Sequence, residues 1–461
     1  MKKIYNLTEG SILKKLLLVA LPVLLTTITQ MAYNFTDMFW IGRVDNIGLM
    51  EGEAITAIGT ASYMTWLAFG IIIIAKIGTS VKISHAVGEK KEHNIDVYAS
   101  NGLFSQFSLG IVVSILILIF KEEFLGIFNI DNPVVMEYAL RYLPIVGGLV
   151  IFPFLMNGFS AINEGLGQTK INLIVLSIGF IMNIILDPIL ILVLRMGIEG
   201  AAIATVFSQA MTVLIFYFVY RRFNPHHNLF KISNFDLKAI KDIFRIGLPV
   251  GIQSMLFTVI SIYIARMVYV YGSDVVGSQR LGAQIEQLTW MIGGGFQTAI
   301  TVFVGQNIGA KQYTRIRKGL IYISLILLAY ALSIAGLLYF AAAWLMKVFV
   351  DDQVIIDHGR NYLQIVSVAQ IFMMMEAIGA GMFNGLGKSI FPSLNGIIGN
   401  LLRIPFALIL SISMNESGIW WALNISCIFK GTVIILAAMM MLSRIERLRL
   451  KTSIQTEAIA G

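Results

Sequence analysis

Charge is the first thing this chain lacks. Only 13% of its 461 residues are Asp, Glu, Lys or Arg, against about a quarter in an ordinary soluble domain. With 57% hydrophobic residues and a mean hydropathy of +0.80, there is too little polar surface to cover cores exposed to water. A cytosolic enzyme, a secreted disulfide scaffold and a disordered chain are excluded on that ground. Cysteine is also scarce: Cys427 stands alone, which excludes a disulfide framework and a thiolate metal cluster. No H-E-x-x-H, G-x-S-x-G or paired C-x-x-C occurs. The glycines of Gly381–Ser389 imitate a phosphate loop, but Met382 takes the place of the first required glycine and no strand precedes it. Neither catalysis nor a cofactor is expected. The net charge of +8 is scattered over loops rather than gathered on one face, so nucleic acid is not an expected partner.

What the chain has is long apolar runs. A bilayer core takes about 20 apolar residues in helix, and twelve such runs fall near 13–41, 55–83, 98–120, 134–162, 171–194, 198–220, 243–270, 281–308, 319–346, 360–384, 391–413 and 418–442. No cleavable signal peptide is expected. The run from Leu16 to Ile41 behind Lys2, Lys3, Lys14 and Lys15 is too long for an h-region and lacks an A-x-A site. With the N-terminus inside, inward loops hold 22 Lys and Arg and outward loops hold 6, so both termini are expected in the cytoplasm.

The two halves repeat one another. Ala20-Leu-Pro22-Val returns as Gly247-Leu-Pro249-Val, and Val87-Gly88-Glu-Lys90 as Ile308-Gly309-Ala-Lys311. Gly165-Leu-Gly167 returns as Gly385-Leu-Gly387, and Gly197-Ile198 as Gly418-Ile419. The displacements are 227, 221, 220 and 221. Six spans per half make the repeat parallel, as in transporters that rock two lobes. The expected fold is an all-α polytopic membrane protein with twelve transmembrane helices in two six-helix lobes. Residues 1–220 form the N-lobe, 221–242 a cytoplasmic linker, 243–442 the C-lobe and 443–461 a cytoplasmic tail.

Ionisable residues within spans cost about 2.5–3.5 kcal/mol on insertion scales, so each asks for a reason. In the first half, polar residues form helical stripes: Gln30, Asn34 and Asp37 on the first span, Asn183 and Asp187 on the fifth, Thr205 and Gln209 on the sixth. Tyr142, Thr205, Asp37 and Asp187 fall at similar depth. Carboxylate, amide and hydroxyl oxygens suit a hard cation such as Na+, and Pro188 frees a carbonyl in the preceding turn. Two carboxylates in a dry pocket suit a proton equally well. In the second half, Glu286 and Glu376 are candidates for attracting cationic substrates. Arg266, Arg403 and Lys430 are candidates to pair with those acids, and structural ion pairing between helices carries equal weight. Lys76 is read as snorkelling inward.

These residues, in this order, resemble the multidrug and toxic compound extrusion (MATE) family over nearly the whole chain, with DinF-like features. Pro22, Gln30, Asp37, Tyr142, Asn157, Asn183-x-x-x-Asp187-Pro188, Gly197-Ile-x-Gly200-Ala201-Ala202-x-Ala-Thr205 and Arg403-Ile-Pro405 carry the likeness. The resemblance implies a secondary active antiporter of the bacterial cytoplasmic membrane. It would export amphipathic, usually cationic organic compounds in exchange for Na+ or H+ by alternating access. It further implies a cation site of Asp37, Asn183, Asp187 and Thr205, with the Ala201 carbonyl and Tyr142 beside it. Gln30, Asn157 and Gln209 would line the substrate cavity, with Asn34 on the Gln30 stripe and Glu286, Glu376 and Arg403 as further contacts. Members with a C-lobe cation site carry an acid in the seventh span, where this chain has Gln253; that favours the N-lobe. The expected partners are small organic molecules and the bilayer, and a monomer is expected. The rival reading is a flippase for a lipid-linked oligosaccharide.

Overall fold

The computed structural model describes residues 6–41, 43, 51–127, 130, 132–223, 229 and 235–460. The side chains at 31, 33–35, 37, 38, 51, 65, 223, 273, 288 and 444–460 lie outside that description. Among the described residues every regular element is helical. Hydrocarbon offers no partner to backbone N–H and C=O groups, and an α-helix satisfies them within its own segment. Hydroxyls inside the spans are satisfied in the same way: Thr26 donates to the Pro22 carbonyl at 2.8 Å and Thr60 to the Thr56 carbonyl at 2.8 Å.

In chain order the helices are α1 (Ile12–Ile41), α2 (Glu51–Gly88), α3 (Glu92–Gly126), α4 (Pro133–Gly148), α5 (Ile151–Gly165), α6 (Thr169–Pro188) and α7 (Gly197–Phe223). The second half follows with α8 (Leu237–Tyr269), α9 (Ser273–Gly309), α10 (Tyr313–Phe340), α11 (Ala342–Lys347) and α12 (Gln353–Ser367). It ends with α13 (Ala369–Gly385), α14 (Ile390–Leu401), α15 (Arg403–Met414) and α16 (Glu416–Ala460). Among the described residues ten helical segments are long and apolar enough to cross a membrane, and the total reaches twelve when two bent pairs each count as one span. Exposed apolar residues run along single helix faces, as at Leu21, Leu25 and Ile28 on α1 and Val112, Ile115 and Ile119 on α3. Such faces are stable against lipid and costly against water.

The bent pairs are where continuous spans were expected. α4 and α5 meet at 40°, and α12 and α13 at 46°. The first break has a covalent cause: Pro153 has no N–H to give the Leu149 carbonyl, which accepts from the Phe152 N–H at 3.2 Å instead. At the second, the side-chain amide of Asn424 donates to the Ile365 carbonyl and that of Gln370 to the Val366 carbonyl at 3.1 Å. Side chains there occupy the acceptors of a continuing helix.

The chain forms two compact units. One contains Leu21–Val87 and Lys91–Gly251; the other contains Asn6–Ala20, Gly88–Lys90 and Ile252–Gly461. The opening of α1 therefore belongs to the second unit and the opening of α8 to the first. In the first unit α8 crosses α2 where both present glycine. A Cβ on Gly247 would strike the Ile74 carbonyl, and one on Gly78 the Ile243 carbonyl. In the second unit Leu7 is buried: its N–H donates to Gln306 Oε1 at 3.0 Å and its carbonyl accepts from Arg315 at 3.0 Å. The repeat is written into the backbone as well. Left-handed residues recur as Lys90 and Lys311, Gly167 and Gly387, and Arg195 and Asn415, displaced by 221, 220 and 220.

Candidate functional site

In the first unit the polar stripe of α6 ends at an irregularity. Pro188 leaves the Ile184 carbonyl without its helical donor. The chain then widens into a π turn over Ile189–Val193, closed by Leu194 N–H to the Ile189 carbonyl at 2.8 Å. A π turn inside a helix frequently marks a functional position. One turn before it, Asn183 and Asp187 are 0% and 1% exposed, and the Asn183 amide donates to Asp187 Oδ1 at 3.1 Å. That bond spends a donor and leaves Asn183 Oδ1, also buried, with no hydrogen-bond partner among the described residues. A buried acceptor left open costs about 1–3 kcal/mol, a cost that a bound cation removes.

α7 packs beside this element and beside α4. Gly200 permits it, since a Cβ there would meet the Leu190 backbone in the π turn. Tyr142 of α4, Ile191 of the turn and Ala201 of α7 belong to one buried cluster, and Thr205 lies one turn further along α7, 7% exposed. Gln209 and Asn157 are half-buried, and Asn157 donates to the Pro153 carbonyl at 2.9 Å. Gln30 is exposed. Asp37 and Asn34 are in α1, and their side chains lie outside the described residues. Lys76 is not a simple snorkel: its ammonium lies 3.4 Å from the Glu164 carboxylate, itself buried. An acid from α5 at that distance holds the charge inside the protein. Among the described residues no group of three or more His, Cys, Asp or Glu side chains could hold a metal.

The second unit handles charge differently. Lys430, 3% exposed, pairs with Glu376 at 2.9 Å, which is the structural ion pairing weighed for this half. Glu286 of α9 accepts from the Tyr362 hydroxyl at 2.9 Å, the Gln370 amide at 3.3 Å and the Trp290 indole at 3.3 Å. Arg403, 5% exposed at the start of α15, donates from Nε to Ser426 Oγ at 3.1 Å and lies 5.3 Å from the Phe257 ring centre. No carboxylate lies within 4.0 Å of its guanidinium among the described residues. Arg266 is exposed. Tyr362, Gln370 and Ser426 were not singled out in the sequence. The repeat was the available signal, since Arg141-Tyr142-Leu143 returns as Asn361-Tyr362-Leu363 and Thr205 as Ser426.

The MatE family profile matches this chain twice, over residues 22–189 and again over 249–409. The chain belongs to the MatE family. The second match begins 227 and ends 220 residues after the first, so the family unit is the repeat itself. MATE proteins are transporters, not enzymes. This chain is 24% identical to the probable multidrug resistance protein NorM of Thermotoga maritima, over 91% of this chain and 90% of the relative. It is 24% identical to the probable multidrug resistance protein YpnP of Bacillus subtilis, over 93% and 95%. It is 22% identical to the multidrug export protein MepA of Staphylococcus haemolyticus, over 94% and 95%. Among solved structures, an outward-facing multidrug resistance MATE transporter of the MOP superfamily superposes with a TM-score of 0.87 at 21% identity, covering 97% of this chain and 99% of that one. A MATE in a bent conformation gives 0.89 at the same identity and coverage. A MOP superfamily transporter from Pyrococcus furiosus, described as having a binding pocket of reversed polarity, gives 0.86 at 22% identity over 97% and 99%.

Proposed function

We propose that this protein is a secondary active multidrug antiporter. In this reading it exports amphipathic, mainly cationic organic compounds by alternating access, driven by Na+ or H+ entering down its gradient. One observation carries the reading: the Asn183–Asp187 couple, fully buried at the foot of a π turn with an amide oxygen left open. The cation site comprises Asp37, Asn183, Asp187 and Thr205, with the Ala201 carbonyl and Tyr142 beside it. Cation entry from outside lowers the affinity of the N-lobe for cargo, and by linkage cargo weakens the cation equally. Gln30, Asn34, Asn157 and Gln209 contact the cargo, and Glu286, half-buried beside the exposed Trp290, attracts its positive charge. Glu376 and Arg403 complete the candidate cargo contacts, and both are already held by neighbours, Lys430 and Ser426. The names of the relatives support export of drugs, and the asymmetry of loop charge supports a bacterial cytoplasmic membrane with both termini inside. We take the working unit to be a monomer.

The test is efflux of a fluorescent organic cation from vesicles under a sodium gradient and a proton gradient imposed separately. One gradient should drive export in the wild type and fail in Asp187→Asn. Equal export by the variant refutes the site.

A further inference from the structure

The repeat makes it possible to ask what the second unit holds where the first holds its cation set. At a displacement of 220, Tyr142 corresponds to Tyr362, Asn183 to Arg403 and Asp187 to Ala407; at 221, after one extra residue between Asn415 and Gly418, Thr205 corresponds to Ser426. The alignment is anchored on both sides of the substitutions by the left-handed pairs Gly167 with Gly387 and Arg195 with Asn415. The phenol and the hydroxyl are kept. The amide has become a guanidinium, and the carboxylate a methyl group that is 0% exposed.

We propose that Arg403 is a tethered cation: in the second unit its guanidinium takes the place that an exchangeable cation takes in the first, so one chain carries a single coupling ion. The inference rests on the reading of the first unit as the cation site. Its geometry is that of an ion among neutral ligands. Nε meets the Ser426 hydroxyl at 3.1 Å, Nη2 lies 4.0 Å from Cys427 Sγ, and the Phe257 ring face lies 5.3 Å away. Glu286 of α9 is itself held by Tyr362, Trp290 and Gln370. The remaining buried cation, Lys430, pairs with Glu376 at 2.9 Å, so that acid is already answered within the chain. At the corresponding first-unit positions, Tyr142, Asn183, Asp187, Thr205 and Gln209, no residue carries a positive charge.

Two measurements test this on the full-length protein in detergent. The first is thermal unfolding of Arg403→Ala with and without low-millimolar methylguanidinium. The variant should melt below the wild type, and methylguanidinium should recover much of the loss while leaving the wild type unmoved. Arg403→Met, which keeps bulk without charge, should melt low and resist rescue, whereas Arg403→Lys should melt closer to the wild type than Met does. An Arg403→Met midpoint equal to the wild type, or an Arg403→Ala defect that methylguanidinium leaves untouched, overturns the proposal. Should Arg403→Ala not fold, the Lys-against-Met comparison decides. The second measurement counts radioactive sodium bound, or protons released, per wild-type chain. One equivalent is expected, lost in Asp187→Asn, and two equivalents overturn the proposal. A wild type that binds none, or an Asp187→Asn that keeps its equivalent, refutes the first-unit reading instead, and the unfolding measurement judges Arg403 independently.

Discussion

At matching places in the duplicated chain, the first unit presents Asn183 and Asp187 beside Thr205, and the second presents Arg403 and Ala407 beside Ser426. Both sets are buried. The first is rich in oxygen and ends at a π turn; the second unit buries two cations, Arg403 and Lys430, of which Lys430 pairs with Glu376. Duplication followed by such divergence leaves two halves with different polar residues at matching positions. In the proposed reading, one retains ligands for an ion that comes and goes, and the other has made its charges permanent. The bends differ in the same manner. Pro153 breaks the α4–α5 span through a missing N–H, whereas Asn424 and Gln370 hold the α12–α13 break with side-chain hydrogen bonds.

The comparison breaks most visibly at Lys430. Lys430→Met strands Glu376, and removing one partner of a buried pair costs about 3–5 kcal/mol; the 21% exposure of Glu376 places the expected loss at the lower end. Calorimetric melting should show a fall of several degrees, largely recovered by the double variant Lys430→Met with Glu376→Leu. In the first unit, Asp187→Asn should leave the melting midpoint near the wild type, because the neutral amide fills the same space, while gradient-driven efflux is lost. Stability is thus expected to be lost at one unit's charges and transport at the other's. A smaller effect is expected at the bend: Asn424→Ala removes one of two donors to the Ile365 carbonyl, leaving the Val368 N–H at 3.4 Å, at about 1 kcal/mol, with faster hydrogen exchange around Ser367. The equivalent first-unit position is Ile203, whose Ala variant should not disturb the α4–α5 break, since Pro153 makes it. Smallest is Lys76→Met, where partial exposure limits the pair with Glu164 to about 1 kcal/mol.

The spans and the repeat were legible because both are periodic: apolar runs report the bilayer directly, and glycine motifs return at one displacement. The Asn183–Asp187 couple was legible for the same reason, as residues four apart on a helix share a face. Partners drawn from distant helices were not. Glu286 and Tyr362 lie 76 residues apart and Asn424 and Ile365 59 apart, and nothing local in the sequence specifies which turn of one helix meets which turn of another. Lys76 illustrates the error that follows. Alone it reads as a snorkelling lysine, and only packing against α5 reveals Glu164. The bends escaped notice because a hydropathy run continues through a kink without interruption.

The central claim is that exchangeable charge is confined to the amino-terminal half of the duplication. Its most direct test is cargo efflux driven by the effective cation gradient in Asp187→Asn against Glu376→Gln. The account predicts that the first variant uncouples efflux from the gradient and that the second, though less stable, still responds to it. Uncoupling by Glu376→Gln alone, with Asp187→Asn fully responsive, would contradict it.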